Sequence, residues 1–270
     1  MKLILMGTNA FVVPIFDAIK NSGHEILSVF TRAPKPVGRK HIMTKSPVHT
    51  WADQNGIPVH TSINEFDGAH GADFIVVISY GVILSDNVLS SAPCVNIHPS
   101  LLPRYRGPSP IRTAIYNGDR VSGVCLMDMT REMDAGDIRM VHQFDIGEND
   151  TNDMIETRVS AIASQMLIQF LSEPDKYQPM PQSGVPSYTR KFTGADEIID
   201  WSRTPNQIHN QIRALGAGRT KINGGDVKIT ETRIENGELK ITKIVPAGKK
   251  EMTWDSFLNG HRFDTIKIGE

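Results

Sequence analysis

Residues 3–23 read LILMGTNAFVVPIFDAIKNSG, and this stretch decides the fold class. Its opening residues are apolar up to Gly7, which is typical of a short buried strand. From Phe11 to Ile19 the apolar residues recur at helical spacing, and the Asn-Ser-Gly run after them ends the helix. The stretch therefore predicts a strand, a turn and a helix in that order.

The alternation of strands and helices continues along the chain. Strand patterns cover 25–30, 74–79, 94–97, 123–129 and 138–144, and helical spacing covers 48–55 and 153–171. Such alternation predicts a parallel sheet flanked by helices, the doubly wound, Rossmann-like α/β class. Because ligands bind beyond the carboxyl ends of the strands in this class, we expect the functional residues directly after Met6, Ser79 and Ile97.

A second, smaller domain is predicted near the carboxyl end. The segment 172–187 carries four prolines, a density that excludes a regular helix or a central strand. Beyond it, helical spacing covers 205–215, and alternating strand patterns cover 226–232 and 238–245. We predict an α/β domain at 1–188, a linker at 189–204 and a small β-rich domain at 205–270.

Composition excludes several classes of function. The chain has 270 residues and a formal net charge of -1, so no overall field attracts nucleic acid or an anionic membrane, and such binding must be local. Cys94 and Cys125 fall in apolar strand-like runs, which favours buried thiols in a reducing compartment over a disulfide or metal site. The apolar start, residues 1–7, is too short for a signal segment or a membrane span. We expect a cytoplasmic monomer with no metal and no membrane partner.

The segment 96–107, NIHPSLLPRYRG, is the most informative for chemistry. Asn96 and His98 are two residues apart at the end of a predicted strand, so their side chains leave the same face of the sheet. An amide donor beside an imidazole suits an acyl carbonyl, because Asn stabilises the developing oxyanion while His moves the proton of an amine. By itself, a single His after a strand also fits a structural or capping role.

Two motifs resemble those of the folate-dependent formyltransferases. Asn96-x-His98 followed by Ser-Leu-Leu-Pro-x-Tyr-Arg-Gly resembles the family signature, and Met-Asp-Ala-Gly-Asp at 133–137 resembles the second motif. The resemblance implies that Asn96 polarises the formyl group, His98 transfers a proton and Asp134 holds the imidazole. It also implies 10-formyltetrahydrofolate as the donor, with no metal. The residues matching the folate-binding loops are Tyr80, Gly81, Val82, Ile83, Leu84, Ser100, Leu101, Leu102 and Pro103.

Members of this family formylate different amines. The turn at 7–11 has one glycine, so it does not give the Gly-rich phosphate cradle of the glycinamide ribonucleotide formyltransferases. Two acceptors therefore stay open, the amino group of initiator methionyl-tRNA and an amino sugar linked to a nucleotide.

A basic loop favours the tRNA acceptor. The loop 32–45 has no acidic residue and resembles the insertion that tRNA-formylating members lay against the acceptor stem. The stretch 246–252 resembles the closing motif of their OB-like carboxyl domain, here shortened, which offers a basic face to tRNA. The cations predicted to contact tRNA are Arg32, Lys35, Arg39, Lys40, Lys45, Lys249 and Lys250. The alternative interpretation is a solvated charged loop for the first five and a plain solvated surface for Lys249 and Lys250.

Overall fold

The structure is a computed structural model that describes residues 1–38, 40–260, 265 and 267–269. The chain divides into two compact units that are discontinuous in sequence. Unit 1 comprises Met1–Gly107, Gly123–Gln143 and Glu156–Tyr188, and unit 2 comprises Pro108–Ser122, Phe144–Ile155 and the described part of Thr189–Glu270.

The secondary-structure elements follow the predicted alternation. The strands up to the site are β1 Lys2–Gly7, β2 Glu25–Phe30, β3 Lys35–Val37, β4 Ile42–Thr44, β5 Val59–His60, β6 Phe74–Ile78 and β7 Cys94–His98. Those after it are β8 Val121–Asp128, β9 Ile138–Asp145, β10 Gly218–Ile222, β11 Gly225–Glu235, β12 Glu238–Pro246 and β13 Met252–Thr253. The helices are α1 Val13–Asn21, α2 Pro47–Gln54, α3 Asp86–Leu89, α4 Pro110–Asn117, α5 Asn152–Ser172, α6 Pro205–Leu215 and α7 Trp254–Asn259.

The large sheet is parallel through its centre and antiparallel at one side. Its strand order in the described part of the chain is β5-β2-β1-β6-β7-β8-β9. The first five strands of that order pair in parallel, which confirms the predicted parallel sheet, whereas β8 runs antiparallel to β7. The predicted patterns identified six of the seven strands, all except β5, but not this change of direction, because an apolar run does not indicate the direction of its strand. The carboxyl ends of β1, β6 and β7 meet at one edge.

Close packing explains the first turn of the chain. Leu3, Leu5 and Met6 have no exposed surface, and burying each such side chain stabilises the fold by about 1.5–3 kcal/mol. A Cβ added at Gly7 would lie 2.9 Å from Ile78 O, closer than real Cβ atoms approach. The single glycine of this turn is therefore required by packing between β1 and β6.

Unit 2 contains the predicted small antiparallel sheet, with strand order β10-β11-β12-β13. Its helix α6 begins with a capping box between Thr204 and Gln207 and is capped at its carboxyl end by Gly216, which is in the left-handed conformation. The strand β10 was not predicted, because its sequence opens with a glycine, which lowers strand propensity. A Cβ at Gly218 would lie 2.6 Å from Ile199 Cδ1, so the small residue allows close packing there.

Contacts between distant parts of the sequence build unit 2. Helix α4 packs on α6, and Arg203 Nη1 donates to Tyr116 Oη at 2.8 Å. A hydrophobic pattern in the sequence does not reveal such contacts. The predicted domain boundaries, 1–188, 189–204 and 205–270, stay a prediction. No helix in the described residues has the length and apolar character needed to cross a membrane.

Candidate active site

The structure brings the predicted imidazole and carboxylate together. His98 ends β7 and is 4% exposed, and Asp134 lies in the loop between β8 and β9. The distance from His98 Nδ1 to Asp134 Oδ2 is 3.6 Å. Asn96 lies two residues before His98 on the same strand and is partly buried. All three predicted catalytic residues belong to unit 1.

The second ring nitrogen of His98 has a fixed partner. His98 Nε2 lies 2.9 Å from the backbone oxygen of Tyr105. Because a carbonyl oxygen only accepts hydrogen bonds, Nε2 carries a proton and donates it to this contact. Nδ1 is therefore the nitrogen left to exchange a proton, and the carboxylate of Asp134 stabilises the imidazole when Nδ1 is protonated.

Asp134 is held by its own loop and by the loop after β7. Its φ of 51° lies in the left-handed region, which a non-glycine residue adopts infrequently. Its Oδ2 accepts a hydrogen bond from the backbone N–H of Gly107 at 2.7 Å. The same oxygen faces His98, so this contact orients the carboxylate toward the imidazole.

Asn96 has hydrogen-bonding capacity left for a ligand. Its Nδ2 donates to the backbone oxygen of Val77 at 3.1 Å, which uses one of its two N–H groups. Its Oδ1 is buried and has no hydrogen-bond partner among the described residues. Buried polar atoms are nearly always paired, so an unpaired amide oxygen beside a free amide N–H favours a site that is completed by a substrate.

The first predicted folate-binding loop follows β6 and divides into two groups. Tyr80 and Leu84 are 2% and 4% exposed and pack in the hydrophobic core, where burial and the nearby Glu65 raise the pKa of Tyr80. Val82 and Ile83 are exposed, Ile83 by 82%. The apolar side chains available to a ligand are therefore those of Val82 and Ile83.

The second predicted folate-binding loop is shaped by internal contacts. Ser100 is fully buried and donates to the backbone oxygen of Arg104 at 2.6 Å. Leu101 lies so close to Gly123 that an added Cβ there would be 2.3 Å from Leu101 Cδ2. The peptide bond between Leu102 and Pro103 is cis. These contacts give the loop a defined shape beside His98.

The predicted basic loop forms a short hairpin from β3 and β4. Lys35 and Lys40 are exposed, and neither has a carboxylate partner among the described residues. Lys45 forms an exposed ion pair with Asp53, and Arg32 lies against Gly81, where an added Cβ would be 2.4 Å from Arg32 Nη2. The predicted contact Arg39 lies outside the described residues.

The two lysines predicted from the closing motif lie in unit 2. Lys249 and Lys250 follow β12 and are exposed, and within the residues that the structure describes neither has an ion-pair partner. Unit 2 therefore offers two uncompensated positive charges to solvent at this point.

Two further sequence expectations concern thiols and metals. Cys94 and Cys125 are both buried and unpaired, which confirms the expectation of buried thiols. Burial raises their pKa to about 12 and about 11, so they are inert as nucleophiles near neutral pH. Across the described ranges, no three His, Cys, Asp or Glu side chains group as metal ligands.

Several residues that shape the site were not singled out from the sequence. The backbone oxygen of Tyr105 contacts the imidazole of His98, and the backbone N–H of Gly107 contacts the carboxylate of Asp134. The side chain of Gln182 hydrogen-bonds to Arg106 in the loop after β7 and to backbone oxygens in the loop between β8 and β9. Arg106 and Gly107 lie inside the quoted motif, so their position was a signal. Gln182 lies between prolines without periodicity and gave none.

Family profiles and individual relatives match most of this chain. The formyl transferase family profile matches residues 1–171, and the profile of the formyl transferase C-terminal domain matches residues 191–240. A methionyl-tRNA formyltransferase of Rickettsia bellii is 34% identical over an alignment of 305 residues that covers 98% of this chain and 99% of that protein.

Solved structures share the fold. The methionyl-tRNA formyltransferase from Clostridium thermocellum superposes with a TM-score of 0.66 at 15% identity, covering 91% of this chain and 98% of that chain. A sugar 3N-formyl transferase solved with dTDP and 5-N-formyl-THF superposes with a TM-score of 0.65 at 21% identity, covering 92% of this chain and 94% of that chain. At these identities the likeness concerns the fold alone.

Proposed function

Because the chain belongs to the formyl transferase family, we propose that it transfers the formyl group of 10-formyltetrahydrofolate to the amino group of initiator methionyl-tRNA. The observation that carries this proposal is the approach of His98 Nδ1 to Asp134 Oδ2 at 3.6 Å, with Asn96 two residues earlier on the same strand. These groups match the needs of acyl transfer to an amine, namely an oxyanion donor and a proton carrier.

In the proposed reaction, the neutral amine attacks the formyl carbon and forms a new C–N bond. The electron pair of the carbonyl moves to oxygen, and the free N–H of Asn96 donates to that oxyanion. The bond between the formyl carbon and N10 of the folate then breaks. The amine loses one proton and N10 gains one, so the reaction is balanced when His98 Nδ1 carries a proton between them and Asp134 stabilises the imidazolium.

The unpaired Oδ1 of Asn96 has a place in this chemistry. This buried acceptor has no hydrogen-bond partner among the residues that the structure describes, so it can take an N–H of the attacking amine, while the amide N–H binds the oxygen of the formyl group. The two ends of one amide would thereby orient both reactants, and orientation of this kind contributes strongly to rate.

Two features support tRNA as the acceptor over an amino sugar. The Rickettsia bellii relative bears the name methionyl-tRNA formyltransferase and matches nearly the whole chain. The hairpin of β3 and β4 presents Lys35 and Lys40 without carboxylate partners in the described part of the chain, and such cations neutralise phosphates. The sugar-formylating structure is 21% identical, so it contributes the fold and not the acceptor.

We propose further that Val82, Ile83 and the loop from Ser100 to Pro103 bind the folate, and that the reaction needs no metal. Lys249 and Lys250 are proposed to contact the tRNA from unit 2. We propose a monomer that works in the cytoplasm, where initiator tRNA is charged and where the free thiols of Cys94 and Cys125 stay reduced.

A comparison of acceptors tests the function. Purified protein is given 10-formyltetrahydrofolate with either initiator methionyl-tRNA or a dTDP-linked amino sugar, and kcat/KM is measured for each. We expect efficient formylation of the tRNA and none of the sugar above the background of a His98→Ala control. Formylation of the sugar, with the tRNA left unmodified, would contradict the proposal.

A further inference from the structure

A proline-containing segment, residues 180–188, lies against both loops of the active site, and we call it the strap. Met180 and Ile138 exchange two backbone hydrogen bonds, with N···O distances of 2.9 and 2.8 Å. Tyr188 forms a parallel bridge with Arg106. The strap is thus hydrogen-bonded to the loop that follows β7 and to the start of β9.

Gln182 of the strap uses all of its hydrogen-bonding capacity between these loops. Its Nε2 donates to the backbone oxygens of Asp134 at 2.8 Å and Gly136 at 2.9 Å. Its Oε1 accepts from Nε and Nη2 of Arg106 at 3.2 and 2.7 Å. Arg106 is 8% exposed, and its Nη1 also donates to Glu132 at 3.1 Å. The amide therefore links the two catalytic loops.

Gln182 contacts the backbone of Asp134, a residue in an infrequent backbone conformation. Asp134 has a φ of 51°, in the left-handed region that a residue with a side chain adopts infrequently. A relaxation of this residue would turn its carboxylate away from His98. Because Gln182 holds the carbonyl of Asp134 and that of Gly136, it resists this relaxation.

The other end of the strap holds the second partner of the imidazole. Ser187 Oγ accepts the backbone N–H of Tyr105 at 2.9 Å, and Ser187 O accepts that of Arg106 at 2.8 Å. The carbonyl of Tyr105 is the group that accepts the proton of His98 Nε2. Both protein partners of His98 are thus fixed by one segment of the chain.

We propose that Gln182 is a positioning residue for formyl transfer, whose two N–H donors hold the turn from Asp134 to Gly136 so that the carboxylate stays beside His98 Nδ1. The inference rests on the proposed function, because it assigns Gln182 to the same reaction. Gln182 acts through Asp134 and does not itself touch the reacting atoms.

The variant Gln182→Glu tests the donors. It keeps the length of the side chain and the acceptor for Arg106, and it replaces the N–H donors by an oxygen that faces two carbonyl oxygens. We expect kcat for methionyl-tRNA formylation to fall about 10-fold to 100-fold, with the KM for folate unchanged within about twofold. The matched control is Gln178→Glu, because the Gln178 amide donates to Asp175 O at 2.6 Å, away from the catalytic loops.

A double-mutant cycle separates positioning from a general structural role. Gln182→Glu is measured in the wild type and in Asp134→Asn, and we expect it to cost less than about twofold in the second background. An equal loss in both backgrounds, or wild-type kcat for Gln182→Glu alone, would overturn the proposal. If circular dichroism shows that Gln182→Glu does not fold, Gln182→Met takes its place in the cycle, with the same two expectations.

The failure of this inference is distinguishable from failure of the proposed function. A wild type that leaves methionyl-tRNA unformylated contradicts the function, and the cycle is then measured with the amine that the wild type does formylate. A wild type that is active on methionyl-tRNA while the cycle is additive contradicts only the role of Gln182.

Discussion

Replacing Asp134 by Asn removes one negative charge from the site and keeps the size of the side chain. The amide oxygen of the new residue can still accept the N–H of Gly107, so the contact that orients the side chain persists. The change removes the carboxylate 3.6 Å from His98 Nδ1. The imidazolium that forms during proton transfer then has no counter-charge.

The geometry sets the size of the effect. Two unit charges 3.6 Å apart interact by about 4–5 kcal/mol at an effective dielectric constant of about 20. Solvent screens this pair weakly, because the side chains of His98 and Asp134 are 5% and 18% exposed. The cost of desolvating the carboxylate offsets part of this attraction. Each change of about 1.4 kcal/mol in activation free energy is a factor of ten in rate. We therefore expect Asp134→Asn to lower kcat/KM by about 10²-fold to 10³-fold.

The assay is the initial rate of methionyl-tRNA formylation for wild type and Asp134→Asn, measured with saturating 10-formyltetrahydrofolate. Folate binding is measured separately by fluorescence titration, and we expect equal affinity because the change lies at the proton carrier. A rate within about threefold of the wild type would refute the reasoning that the carboxylate stabilises a protonated His98. Loss of both rate and folate binding would indicate a damaged site, and it would refute the claim that the change acts only on the proton carrier.

Three other predictions follow from single contacts. Replacing Lys35 and Lys40 by Gln should reduce the slope of log affinity for tRNA against log salt concentration by up to about 2, because each cation that contacts a phosphate contributes about one. The slope is measured by filter binding at several salt concentrations. An unchanged slope would exclude contact between the hairpin and the tRNA. Burial lowers the pKa of His209 from its usual 6.5, and the charge of Arg213 adds to the effect. Because the unfolded state then binds more protons than the folded state, the free energy of unfolding should fall as pH drops below about 6.5. Urea unfolding of His209→Gln from pH 7 to pH 5 should show a weaker fall than the wild type, and an identical fall would contradict the assignment. A Cβ at Gly136 would lie 1.8 Å from Asp128 O, so Gly136→Ala should lower the free energy of unfolding by about 1–3 kcal/mol and reduce formyl transfer. The control is Gly194→Ala, which has open space around the added Cβ and should match the wild type in both assays.

The sequence predicted the large sheet because its strands are locally encoded. Apolar runs and helical spacing identified β1, α1 and β7 within a residue or two, and the position of Asn96 and His98 at a strand end follows from β7 alone. The link from His98 to Asp134 has a different origin. The two residues are far apart in the chain, and only the resemblance of both motifs to one family joined them.

The features that were not predicted depend on tertiary contacts. The antiparallel direction of β8 depends on how the chain returns through α4, which an apolar run does not record. The core position of Tyr80 arises in a loop, where no periodicity assigns a face. Gln182 has its role through contacts with carbonyl groups of a loop far away in sequence, and the prolines around it indicate only that a regular helix is absent.

The most direct test of the central claim is single-turnover transfer of an isotopically labelled formyl group, with enzyme in excess over methionyl-tRNA. We expect the wild type to place the label on the amino group of methionine, and we expect Asn96→Ala and His98→Ala each to slow this step by about 10²-fold or more while remaining folded. Transfer at near wild-type rate by both variants would show that Asn96 and His98 are not the catalytic groups.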